Sequence, residues 1–185
     1  DVPDDPDGLP LPTLECPPDS RSSGRDWLDR RLGPGIRPLA IHPGSGGTRK
    51  CWPAHQFAKV AAAIGIPVVL VEGPADADAC RRCAAALPAS LPVAHAGGFT
   101  VSALAGVLTG CRAYIGNDSG VSHLAAALGL PTLAIFGPTD PVVWTPLGPQ
   151  ATALSPRGGA AWPTVGDVVT AAHCRRDEPA PEARS

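Results

Sequence analysis

The chain alternates short, uninterrupted apolar runs with longer stretches in which apolar residues return every three or four positions. Runs of the first kind fall at 38–42 (PLAIH), 67–72 (PVVLVE), 92–95, 113–116 and 132–136 (TLAIF), with a weaker one at 151–154. Each is short, rich in Val, Ile or Leu and closed by turn residues, which predicts strands. The helical period occupies 53–64, 76–87, 100–109, 120–128 and 164–174, and a turn is expected around Pro141. Strands that are apolar throughout must be covered on both faces, and strands that each feed a helix pair in parallel. The pattern therefore predicts an α/β chain: a doubly wound parallel sheet of about six strands with helices on both sides.

The ends do not follow this rhythm. Residues 1–22 are rich in Pro, Asp and Ser and read as a linker or extended arm, and "SGRDWLDRRLG" predicts a short helix with Trp27, Leu28 and Leu32 on one side and Gly33 beyond its end. The tail 175–185 is polar and Pro-bearing, with the composition of a disordered segment. The expected division is a linker and short helix over 1–36, one folded domain over 37–174 and the tail.

Composition narrows the core and the partners. With 44% hydrophobic and only 4% aromatic residues, the interior has to be built from Ala, Val, Leu and Ile. A net charge of -2 without a basic block offers no footprint for nucleic acid or an anionic membrane. No apolar run approaches the roughly 18 residues of a membrane span, and the acidic start "DVPDDPDGLP" is unlike a signal peptide, so the expected location is the cytoplasm. The six cysteines form no close framework and are expected to be reduced. Cys80 and Cys83 make a CxxC without a second pair at ligand spacing, which favours two thiols on one helical face over zinc. The chain contains no methionine, and it is expected to be a piece of a longer protein.

In sheets of this kind ligands collect beyond the carboxyl ends of the strands, so the residues that follow each apolar run carry the chemistry. The first run leads into "HPGSGGTRKCWP", whose glycines allow backbone N–H groups close to an anion while Ser45, Gly46, Thr48 and Lys50 supply donors and a compact charge suited to phosphate. Lys50 is one of two lysines against thirteen arginines. A dinucleotide GxGxxG would need glycine at Arg49, and a P-loop would need Ser or Thr at Cys51, so neither pattern fits. Glu72 ends the second run where an NAD-type ribose acid belongs, and both Glu72 and Asp76 are candidates for ribose hydroxyls. Asp76 also suits the start of the next helix. In "YIGNDSGVSHLAAALG" a helix opens behind Asn117, Asp118, Ser119 and Gly120, with His123 in its first turn, which exceeds what capping requires. Such an opening favours an anion by about 0.3–1 kcal/mol. Thr139 and Asp140 in "FGPTDP" face the same edge, and Phe99 precedes helix 100–109. Together these describe a pocket for a nucleoside diphosphate group.

"IHPGSGGTRKCWP" followed by "GNDSGVSHLAAALGLPTLAIFGPTDP" resembles the C-terminal, donor-binding half of the family 9 glycosyltransferases, the heptosyltransferases of lipopolysaccharide core synthesis. The resemblance covers about residues 37–174 and implies one Rossmann-like half of a two-domain GT-B enzyme. It implies ADP-heptose or a related nucleotide-sugar as donor, with Ser45, Gly46 and Lys50 at the phosphates, Asp76 at the ribose, Phe99 at the adenine, Asp118 at the sugar and Gly120 and His123 beside the diphosphate; Thr48 and Ser119 are further donor-site candidates. It further implies an inverting, metal-independent transfer that needs no cofactor. The catalytic base and the lipid-linked saccharide acceptor would belong to an N-terminal domain at the inner membrane face, so this half alone would bind donor without transferring it. A stand-alone nucleotide-sugar binding module and half of a nucleotide-sugar epimerase are the alternatives.

Overall fold

The computed structural model describes residue 11 and residues 13–174; the expected tail at 175–185 and the start of the expected arm lie outside the described residues. Six strands form one sheet: β1 (Leu39–His42), β2 (Val68–Glu72), β3 (Val93–Gly97), β4 (Ala113–Asn117), β5 (Thr132–Ile135) and β6 (Ala151–Leu154). All adjacent pairs are parallel, in the order β3-β2-β1-β4-β5-β6, with Leu39 in register with Val68 on one side and Ala113 on the other. The doubly wound parallel sheet expected from the hydrophobic pattern is the fold observed.

The alternation of side chains explains why the strands read as continuous apolar runs. On one face Leu39, Ile41, Val68, Leu70, Ile115, Leu133 and Ile135 join a core with Phe57, Val60 and Ile64 of α2 (Ala54–Ile64), Cys83 of α3 (Ala77–Ala86) and Val168 of α7 (Val165–Cys174). On the other, Ala40, Val69, Val71, Ala94, Ala96 and Tyr114 meet Leu28 of α1 (Pro18–Leu32), Val107 and Leu108 of α4 (Val101–Thr109) and Ala125 of α5 (Gly120–Ala127). Both faces of the central strands are covered, so polar residues inside strands are confined to His95 on the edge strand β3, Thr132 at the start of β5 and Thr152 on the edge strand β6. Cys80 and Cys83 point inward, the Cys80 thiol donating to Val71 O at 3.3 Å, and burial pushes both thiols up to about 12.

Two elements differ from the pattern. Helix α1 begins at Pro18, five residues before the expected start, because its first turns are held by small residues and not by an apolar stripe. A Cβ on Gly24 would run into the backbone of Gly106 in α4, one on Gly106 would meet the Ser20 carbonyl, and Ser20 Oγ lies 2.7 Å from Ser102 Oγ. The turn expected near Pro141 is a single helical turn, α6 (Pro141–Trp144), capped by Asp140, which accepts from Val142 N at 2.9 Å. No helix among the described residues is long and apolar enough to cross a membrane.

Candidate functional site at the strand crossover

The sheet order reverses between β1 and β4, neighbours that are far apart in sequence, so their exits diverge to opposite faces and leave a crevice at their carboxyl ends. Asn117, fully buried at the end of β4, holds the glycine-rich segment that leaves β1. Its amide donates to Pro43 O at 2.9 Å and Gly44 O at 3.1 Å, and its Oδ1 accepts from Trp52 N at 2.9 Å. The buried Trp52 ring anchors the far end of the segment, donating from Nε1 to Pro163 O at 3.1 Å. Between these anchors Gly46, Gly47 and Thr48 form an exposed tip, and Thr48 opens a 3-10 turn that ends on Lys50.

Lys50 leans back over the crevice. Its Nζ donates to Asp118 Oδ2 at 2.9 Å and lies 5.5 Å from the centre of the Trp144 ring. Asp118 is 5% exposed, whereas the lysine side chain is 38% exposed, so the pair has one buried and one wet end. Asp118, Ser119 and Gly120 stand at the opening of α5, with Gly120 as the first helical residue and open space where its Cβ would be. His123 is exposed in the first turn of α5. Ser45 is nearly buried and donates from Oγ to the Asp118 carbonyl at 2.8 Å, tying the β1 loop to the β4 loop.

Asp76 occupies a different position from the one its place in the sequence suggests. It is 7% exposed, turned beneath the β1 loop, and its Oδ2 lies 2.8 Å from His42 Nε2 and 3.1 Å from Gly73 N. A Cβ on Gly44 would overlap this carboxyl, so only glycine leaves it room. The hydrogen bond from His42 outweighs burial and, with the imidazole charge and the N–H groups of Gly73 and Ser45, holds the Asp76 carboxyl below the usual carboxylate value. His42 in turn places Nδ1 3.1 Å from Ser119 Oγ. Asp78, two residues on, pairs instead with Arg81 and Arg82 at 3.2 and 2.8 Å, so the two carboxylates diverge. Glu72, half-buried at the end of β2, makes no hydrogen bond or ion pair among the described residues. Phe99 is half-buried after β3, edge-on to Trp27 of α1 with ring centres 5.4 Å apart. Thr139, between β5 and α6, has a buried Oγ1 without a hydrogen-bond partner.

The structure thus brings Ser45, Lys50, Asp118, Ser119 and Gly120 to one crevice, with the exposed Gly46–Thr48 tip beside it and His123 exposed in the first turn of α5. Phe99 lies beyond the end of β3, two strands away. His42 and the anchoring role of Asn117 are the features of the site that the sequence pattern does not single out. His42 is the last residue of an apolar strand, and the signal that could have found it is a titratable side chain at a position where every other residue is apolar.

The sequence model of glycosyltransferase family 9 (heptosyltransferase) matches residues 17–166. Among curated proteins the chain is 35% identical over 139 residues to lipopolysaccharide heptosyltransferase 3 of Escherichia coli, covering 72% of this chain and 41% of that one. It is 34% identical over 128 residues to lipooligosaccharide heptosyltransferase 2 of Haemophilus influenzae, covering 65% and 37%. A solved structure of E. coli ADP-heptose lps heptosyltransferase II superimposes with a TM-score of 0.75 at 26% identity, over 91% of this chain and 55% of that one. The chain spans less than half the length of these two curated relatives and about half of the solved chain. With its match running from α1 through the whole crevice and the six-stranded sheet, this chain belongs to glycosyltransferase family 9, the heptosyltransferases.

Proposed function

We propose that the crevice between β1 and β4 binds a nucleoside diphosphate sugar, of which ADP-heptose is the representative in the relatives' names, and that the domain is the donor-holding part of an inverting heptosyltransferase acting on a lipopolysaccharide core acceptor. The observation that carries this reading is Lys50 Nζ at 2.9 Å from Asp118 Oδ2 at the opening of α5. A cation, an anion and unpaired helical N–H groups at one rim match a ligand that carries phosphate and hydroxyls side by side. In the transfer, the acceptor hydroxyl attacks the anomeric carbon, its proton goes to a base outside this domain, and the bond to the β-phosphate oxygen breaks. Lys50, the first N–H groups of α5 and His123 meet the charge that develops on the departing ADP. Asp118 accepts from sugar hydroxyls. Because Asp76 is engaged from below, Glu72 is the acid left for the ribose. Ser45 and the Gly46–Thr48 tip close over the phosphates, and Phe99 borders the adenine.

The same Glu72 position would suit NAD, so titration with ADP, UDP, GDP and NADH separates the readings. ADP is expected to bind most tightly of the four, and this chain alone is expected to show no transfer. Tighter binding of NADH than of ADP, measured by calorimetry, would overturn the donor-site reading.

A further inference from the structure

Buried beneath the crevice is a hydrogen-bonded line that joins three strand ends: Asp76 Oδ2 to His42 Nε2 at 2.8 Å, and His42 Nδ1 to Ser119 Oγ at 3.1 Å. His42 is 2% exposed and Asp76 7%, while Ser119 reaches the rim as the N-cap of α5 without using its side chain as a cap. The protons on this line can be assigned one by one. An Asp76 carboxylate that also accepts from Gly73 N requires hydrogen on His42 Nε2. Ser122 Oγ spends its one hydrogen on Asn117 O at 2.5 Å and so can only accept from Tyr114, 3.0 Å away, and from Ser119, 3.3 Å away. The variable is His42 Nδ1. With a lone pair there, it accepts the Ser119 hydroxyl hydrogen and Ser119 presents only lone pairs to the crevice. With a proton there, it donates to Ser119 Oγ and frees that hydrogen for Ser122 Oγ, 3.3 Å away, or for an anion in the crevice, the stronger acceptor of the two.

We infer that Asp76, His42 and Ser119 form a positioning relay in which binding of a diphosphate draws one proton onto His42 and turns the Ser119 hydroxyl into a donor to the phosphate. The inference rests on the donor-site reading above and assigns His42 a role in it. The other charged and titratable groups near the line are Glu72 on β2, Cys80 on α3, Cys51 and Lys50 after β1, Tyr114 on β4, Asp118 between β4 and α5, and His123 on α5. Burial pushes Cys80 up to about 12 and raises Tyr114, and Cys51 is raised by burial and by Asp76, so these stay protonated. Lys50 and Asp118 are matched to each other. Asp76 is therefore the carboxylate in direct contact with the imidazole.

The test is titration of this chain with ADP at pH 8 in two buffers of different ionisation enthalpy, which counts protons taken up on binding. The wild-type chain is expected to take up about one proton more than Asp76→Asn, His42→Gln or Ser119→Ala, and its ADP affinity to rise by up to about tenfold per pH unit as the pH falls. His123→Gln removes the exposed imidazole on α5 and is expected to retain the uptake. Equal uptake in wild type and His42→Gln, or loss in His123→Gln alone, overturns the relay. Should the His42 and Asp76 variants fail to fold, histidine 15N spectra of the wild-type chain decide: Nδ1 of His42 gains a proton on adding ADP, and a resonance that does not move overturns the inference. Absence of any ADP binding by the wild type overturns the donor-site reading along with it, whereas binding without proton uptake overturns the relay alone.

Discussion

Lys50 and Asp118 neutralise one another, and that mutual contact sets how each responds to mutation. Removing Lys50 strands a carboxylate that is only 5% exposed at the place where the phosphates would sit, so Lys50→Ala combines a lost donor with a new repulsion. A charge-assisted contact of about 1.5–3 kcal/mol corresponds to roughly 10- to 100-fold weaker binding of both ADP and ADP-heptose. Asp118→Asn should weaken ADP-heptose by a similar factor yet leave ADP unchanged or tighter, because ADP has no sugar for the acid to hold. Calorimetry with the two ligands on the two variants checks this, and equal losses for Asp118→Asn would place the acid elsewhere. Asp76 makes a separate prediction in acid. Its folded value lies below the ordinary 3.8, so the stability it contributes is present above that pH and is lost as the pH falls through the folded value. Asp76→Asn should therefore flatten the acid limb of a denaturation curve below about pH 4. Lys50 and Asp118 were legible in the sequence because charge next to glycine after an apolar run has few other uses. The burial of Asp76 was not, because nothing local says which way a first-turn acid will rotate.

Helix α1 shows how half of an element can be silent in sequence and firm in structure: Trp27, Leu28 and Leu32 announce its second half, and nothing announces its start at Pro18. Its opening "PDSRSSGRD" lacks an apolar stripe, yet Gly24 and Gly106 let α1 and α4 approach to backbone contact, and the helix is stabilised by that approach. Adding a single methyl group at this crossing forces the helices apart. Gly106→Ala is expected to destabilise the chain by about 1–3 kcal/mol, against the small gain alanine brings to an open helix. A midpoint in urea unchanged from wild type would show that the helices can separate freely. The strands and the helices packed on them were readable because a sheet covered on both faces leaves a periodic record, whereas a glycine crossing at the start of α1 leaves only two small residues 82 positions apart.

At the scale of the whole molecule, stability rests on two buried layers of mainly aliphatic residues with Trp52 and Phe57 in one and Tyr114 in the other. Cys80, Cys83 and Cys111 sit inside them, with thiols pushed up to about 12 by burial. These thiols should resist labelling at neutral pH and react only as the chain unfolds globally, so their labelling rate should track denaturant concentration. Fast labelling of all three in the native chain would mean the layers open locally.

Period and turn chemistry along the chain were enough to determine the number of strands, their parallel pairing and the polar residues at their ends, because each is a local consequence of what both faces of a buried strand can tolerate. The strand order, and with it the crevice between β1 and β4, was decided only by tertiary packing, since nothing in a strand's own residues names its neighbour. Tertiary structure also decided that Asp76 pairs with His42, because a buried carboxylate takes the partner that three-dimensional contact provides.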